Sequence, residues 1–179
     1  MSFFKNLFSK KAQLPPADLS VLGCDMHSHF IPGIDDGAKD MDDALNLLRS
    51  MQEFGYKKII INPHVMSDGF RNTPEIVLGG LEKLRTAARE AGITLELEAA
   101  AEYYYDSDLE KKLKNGPLIF GQKYLLFEVS YMYPPDGIET FIFNAQVEGY
   151  KLILAHPERY PFWAEDFSYY EKLKDKSVL

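Results

Sequence analysis

The chain has four histidines, and each stands at or just past the end of a short apolar run. His27 and His29 come first, in Cys24-Asp25-Met26-His27-Ser28-His29, followed by Pro32-Gly33-Ile34-Asp35-Asp36-Gly37. Residues i and i+2 of an extended segment point to one face, so the two imidazoles can aim at a common point where a cation could sit. Asp35 or Asp36, returned by the Pro-Gly turn, could add a hard oxygen ligand. His64 follows Ile59-Ile60-Ile61, and His156 follows Leu152-Ile153-Leu154. Glu102 and Glu128 close two further apolar runs, where an unpaired carboxylate would be costly to bury. A cation would remove that cost.

Mixed imidazole and carboxylate ligands without thiolate suit Mn²⁺, Fe, Zn²⁺ or Mg²⁺ rather than a soft metal. There are more candidates than one ion uses, so two or three ions are implied, with Glu102 or Glu128 able to bridge a pair. Adjacent ions generate hydroxide at neutral pH and clamp the oxygens of an in-line displacement, the chemistry of phosphoester or amide hydrolysis. Arg159, in His156-Pro157-Glu158-Arg159-Tyr160, lies within reach of the same place. Its planar fork matches a phosphoryl group. The loop from Val65 to Asn72, with Asp68-Gly69 and Arg71, could cover the site or touch substrate.

Elements that would position these residues can be read in order. An apolar run at Val21 to Cys24 leads into the first histidines. Met41 to Phe54 has helical periodicity, with Asp40 as N-cap and Gly55 as stop. Lys58 to Asn62 reads as a buried strand. Pro74 to Ala91 is a second helix behind Thr73, and Ile93 to Ala101 a strand ending in Glu102. Ser107 to Lys114 is a short helix, Tyr124 to Phe127 a strand ending in Glu128, and Ile138 to Glu148 a helix. Lys151 to Ala155 is a strand before His156, and Ala164 to Lys174 a last helix. Alternating strands and helices predict an α/β fold with parallel strands and outer helices. Active sites of such folds form at the C-terminal ends of the strands, where all of these polar residues fall.

Bulk properties narrow the function classes. A length of 179 residues fits one domain with a sizeable core. The net charge of −7, with no compensating basic block, argues against a nucleic-acid partner. The single cysteine, Cys24, excludes an internal disulfide framework and fits a reducing compartment. No apolar run approaches the ~20 residues of a membrane span, so a soluble, cytoplasmic protein is expected. In residues 1–11, Phe3, Phe4, Leu7 and Phe8 alternate with lysines in an amphipathic pattern that could rest on the inner face of the membrane or on a partner. Residues 1–20 read as this segment plus a linker through Pro15-Pro16, and residues 21–179 as the folded domain.

The segments DMHSHFIPGIDDG, NPHV, AEYY, LLFEV and AHPERY together resemble the polymerase-and-histidinol-phosphatase (PHP) superfamily. More narrowly they resemble its bacterial capsule and exopolysaccharide branch, the CpsB/YwqE-type manganese-dependent protein tyrosine phosphatases. The likeness covers roughly residues 21 to 175. It implies a distorted, here partial, β/α barrel with a trinuclear manganese centre. By position, the implied ligands are His27, His29, Asp36, His64, Glu102, Glu128 and His156, with Arg159 catalytic and holding phosphate. The implied reaction is hydrolysis of phosphotyrosine, on the tyrosine-rich tail of a partner kinase controlling polysaccharide export. The family continues with a further arginine and a late Asp-x-His motif, which does not follow His156 here. A C-terminally truncated or fragmentary chain with weak metal binding and little turnover is therefore expected. Alternatives are a phosphoesterase for small phosphomonoesters and a non-catalytic domain, and a homo-oligomer is compatible with either.

Overall fold

The computed structural model describes residues 19–164 and 167–179. The amphipathic segment and most of the proposed linker lie outside the described residues. Among the described residues, seven strands are arranged as two parallel sheets. The first has the order β1 (Cys24–Ser28), β2 (Lys58–Ile61), β4 (Glu96–Ala99); the second has β3 (His64–Val65), β5 (Glu102–Tyr104), β6 (Tyr124–Glu128), β7 (Lys151–Leu154). Every pairing is parallel. The expected α/β architecture with outer helices is what the chain adopts.

Helix boundaries follow local chemistry. In α1 (Met41–Glu53) the Asp40 carboxylate accepts from the Asp43 amide at 2.9 Å, and Gly55 takes the positive φ that ends the turn. In α2 (Pro74–Glu90) the Thr73 hydroxyl accepts from Ile76 N, with Pro74 in the first turn, where no amide donor is missed. Both helices cover the first sheet, burying Ala44, Leu48, Val77, Leu81 and Leu84 against Ile59, Ile61 and Leu97. Three further helices, α3 (Leu109–Lys114), α4 (Ile138–Val147) and α5 (Phe167–Asp175), cover the second sheet.

Strand alternation then decides where the carboxylates go. Leu125 and Phe127 face the helices, whereas Leu126 belongs to an inner cluster with Ile60, Ala100 and Ala155. Glu128 is two residues beyond Leu126, and Glu102 two beyond Ala100. Both carboxylates therefore continue inner columns, and both residues are buried.

Two expectations are corrected. The run from Ile93 to Glu102 is not one strand: regular pairing covers Glu96–Ala99, and Glu102 instead opens β5 in the other sheet. Ala100 and Ala101, almost fully buried, supply the small side chains that allow the chain to pass between sheets. The run Ile61 to Val65 makes the same crossing through Pro63. Secondly, Val21 and Leu22 are exposed and precede β1 rather than form part of it.

Candidate metal centre

β1 and the residue beyond it deliver His27 and His29, whose Nε2 atoms lie 3.4 Å apart. The loop that follows is closed by Ala38 N donating to His29 O and Gly33 N donating to Ala38 O, both 2.9 Å. Gly37 is required there, because a Cβ would stand 2.1 Å from the His29 carbonyl oxygen. This closure separates the two aspartates. Asp35 is turned inward, accepting from Gly37 N at 3.0 Å and His64 N at 3.2 Å, with Oδ2 2.8 Å from His29 Nδ1. Asp36 stays exposed, with Oδ1 3.4 Å from His64 Nε2.

Glu102 is the hub. Its Oε2 lies 3.2 Å from His27 Nε2, 3.3 Å from His29 Nε2 and 3.3 Å from His64 Nδ1; its Oε1 lies 2.8 Å from His156 Nε2. Glu128 Oε1 is 2.8 Å from His64 Nδ1, and its Oε2 is 3.8 Å from His156 Nε2. His156 reaches this point from a left-handed backbone conformation (φ 33°, ψ 57°) that a non-glycine residue adopts at a cost of roughly 1–2 kcal/mol. All the imidazoles and carboxylates expected at one rim are brought together. They form groups able to hold a cation: His27, Glu102 and His156; His29, His64 and Glu102; and His29, Asp35 and Asp36.

The donor set fits metal ions by a test internal to the structure. His64 Nδ1, Glu102 Oε2 and Glu128 Oε1 are buried and lack a well-aligned hydrogen bond, although they lie 2.8–3.3 Å from one another's groups. Groups this close without aligned hydrogen bonds make a donor set that a cation could satisfy. Leaving such atoms unsatisfied costs about 1–3 kcal/mol each. Burial alone would depress the His29 imidazole, but hydrogen bonds to Asp35 and Glu102 outweigh it and hold its pKa up at about 9. Burial would likewise raise Glu102, yet the His156, His27 and His29 imidazoles that face its carboxylate keep it well below the carboxylate range. Divalent cations would take the place of protons on these groups.

Around the cluster opens a cleft of about 1020 Å³. Phe70 stacks on His64, rings 5.5 Å apart and 13° from parallel, and Met66, Ser67 and Asp68 of the same loop also line the cleft. Arg71 does not: its Nε donates to Ser67 O at 2.8 Å, and it faces a separate cavity of about 420 Å³. Arg159 leaves a 3₁₀ turn (Pro157–Arg159), lines the cleft and meets the Tyr131 hydroxyl.

Tyr131 escaped the sequence reading. Its hydroxyl lies 3.3 Å from His156 Nδ1 and 3.5 Å from Glu128 Oε2, and its ring stacks on that of Tyr160, 5.5 Å away. Tyr160 is fully buried, accepting from Val129 N and donating to Ala155 O. The available signal was position: Tyr131 comes three residues after a strand-end carboxylate.

Parallel strands in two sheets, outer helices and a rim of imidazoles and carboxylates define a PHP-type α/β domain equipped to hold metal ions. The chain belongs to the CpsB/CapC family of capsular polysaccharide synthesis, which it matches over residues 23–179. Among curated relatives it is 29% identical over 137 residues to the tyrosine-protein phosphatase YwqE of Bacillus subtilis (strain 168), covering 75% of this chain and 54% of the relative. It is 30% identical over 138 residues to the tyrosine-protein phosphatase CpsB of Streptococcus agalactiae, covering 76% and 57%. Its fold is similar to a chain from the crystal structures of YwqE from Bacillus subtilis and CpsB from Streptococcus pneumoniae, described as unique metal-dependent tyrosine phosphatases. That match has a TM-score of 0.81 and 28% identity, and covers 87% of this chain and 64% of the other. The chain thus spans a little over half the length of the curated relatives it matches.

Proposed function

We propose that this chain carries the metal centre of a tyrosine-protein phosphatase that removes phosphate from a protein of capsule or exopolysaccharide synthesis. The observation that carries the reading is Glu102, whose two carboxylate oxygens are shared among all four imidazoles while one lacks an aligned hydrogen bond. His27, His156 and Glu102 would hold one ion, and His29, His64, Glu102 and Glu128 a second. The exposed Asp36 carboxylate, near His64, would take part in a third. Mn²⁺ suits this hard oxygen and imidazole set, as Fe, Zn²⁺ or Mg²⁺ would.

Bound divalent cations supply a nucleophile at neutral pH and neutralise charge on the phosphoryl oxygens. The chain's own groups do the rest. Arg159 holds two phosphoryl oxygens with its fork. Tyr131 fixes the guanidinium over the rim, and Asp35 keeps His29 turned to present Nε2. Phe70 and Tyr104 supply apolar walls for a phenyl ring. The phosphoprotein substrate is a membrane-associated tyrosine kinase tail, met at the cytoplasmic face by residues 21–179, with residues 1–11 as an attachment segment and the rest of 1–20 as linker, in a monomer or homo-oligomer. No helix among the described residues is long and apolar enough to cross a membrane.

The test is hydrolysis of a phosphotyrosine peptide and of small phosphomonoesters such as histidinol phosphate, with and without added Mn²⁺, alongside elemental analysis. Mn²⁺-dependent turnover favouring the peptide supports the reading. Preference for the small esters replaces it with a metabolite phosphatase. Less than one ion per chain with no turnover replaces it with a non-catalytic domain.

A further inference from the structure

Between β6 and α4 the chain runs Ser130-Tyr131-Met132-Tyr133-Pro134-Pro135-Asp136-Gly137. Three large hydrophobic side chains in succession stand open to solvent here, Tyr131 at 41%, Met132 at 85% and Tyr133 at 64% exposure. The loop is held, not slack. The Ser130 hydroxyl accepts from Met132 N at 3.1 Å, and the Tyr131 ring is fixed on buried Tyr160. At the far end Tyr105 donates its hydroxyl to Asp136 O at 2.7 Å, and two prolines stiffen the stretch between. A fixed backbone therefore presents apolar side chains that it could have turned inward. Tyr131 belongs to the wall of the cleft, and the exposed Met132 and Tyr133 are the next two residues along the chain.

We propose that Met132 and Tyr133 form a docking lip for the polypeptide flanking the phosphotyrosine, taking an apolar or aromatic side chain near it in sequence. The inference rests on the phosphatase reading and deepens it by naming what sets the substrate class. Continuity with the cleft selects the occupant: a free phosphorylated amino acid ends inside the cleft, and only a chain that continues past the reacting residue reaches the lip. The lip carries no charge, so the contact is apolar burial. Methionine adapts to side chains of varied shape, and tyrosine offers a stiff contact surface at low entropic cost.

The experiment replaces both residues, Met132→Ser with Tyr133→Ser, and leaves Tyr131 in place. With Mn²⁺ present, kcat/KM is measured on a phosphotyrosine peptide carrying leucine or tyrosine beside the phosphorylated residue, and on free phosphotyrosine. The same comparison is made in binding, by calorimetry with non-hydrolysable phosphonate analogues of both. The expected result is a loss of about tenfold on the peptide, through KM, with free phosphotyrosine changed less than twofold. Equal losses on both, or none on either, overturn the lip. So does a change confined to sedimentation or to vesicle binding, which would make the occupant a second copy or a lipid surface. Failure of the unsubstituted chain to turn over or bind either ligand removes the phosphatase reading itself, and the lip with it.

Discussion

Asp35 Oδ2 lies 2.8 Å from His29 Nδ1, and the same carboxylate accepts from the backbone amides of Gly37 and His64. One buried side chain thus ties the loop after β1 to the start of β3 and fixes which nitrogen His29 offers to Glu102. Outer carboxylate partners of this kind typically account for 10–100-fold in metal affinity. Asp35→Asn is expected to weaken metal binding by about that factor while the far-ultraviolet dichroism is unchanged. Titration with Mn²⁺ against a competing chelator gives the affinity.

Gly37 and Gly79 should respond in opposite directions to the same substitution. A Cβ on Gly37 meets the His29 carbonyl oxygen and Cβ, whereas one on Gly79, within α2, meets nothing within 4 Å. Gly37→Ala is expected to cost about 1–3 kcal/mol and to lower metal occupancy by moving His29. Gly79→Ala should raise stability by about 0.5–1 kcal/mol. Thermal melts of the metal-free proteins separate the two.

Arg159 and Tyr131 act as a unit in the proposed reaction. Arg159→Ala should lower kcat/KM on phosphotyrosine by about 10²–10³, and lysine should restore little, because it lacks the planar fork. Tyr131→Phe should cost less. Its effect should disappear in the Arg159→Ala background, a coupling that a double-mutant cycle measures directly.

On the cleft wall, Asp106 gives a pH signature. Its carboxylate accepts from Ser67 N and Asp108 N, both at 2.9 Å, and pairs with Lys112 Nζ at 3.1 Å. Burial pushes this group up, but the hydrogen bonds from Ser67, Lys112 and Asp108 outweigh it, so its pKa in the folded chain lies below the ordinary value. Such a group adds stability that is full above the unfolded pKa, near 4, and is lost as pH falls through the lower folded value. The melting-temperature gap between the parent chain and Asp106→Asn should therefore hold from pH 7 to about 5 and narrow as pH falls below about 4.

Much of this was legible in the chain because local signals and tertiary structure agree. Asp40 and Thr73 cap the helices they were expected to cap. The histidines and glutamates fall together because a parallel sheet gathers strand ends at one side. The aspartate pair needed the fold: spacing alone left Asp35 and Asp36 equivalent, and only the closed loop turns one inward. The passage between sheets at Ala100 and Ala101 was hidden, since three successive alanines, Ala99 to Ala101, carry no mark of where hydrogen-bonding partners change. Tyr131 was hidden because its place depends on Tyr160, a contact 29 residues away in sequence.

The shared position of Glu102 also bears on how the molecule folds. Its carboxylate meets His27 and His29, in and just past a strand of the first sheet, and His64 and His156, in and just past strands of the second. Those partners are far apart in the chain, so loop-closure entropy places their meeting late in assembly. A cation that binds only the assembled rim stabilises it by mass action. It should slow the parting of the two sheets more than the fraying of either. Amide hydrogen exchange at Asn62 and Glu102, where the chain passes from one sheet to the other, would then slow on metal addition while α4 stays unchanged.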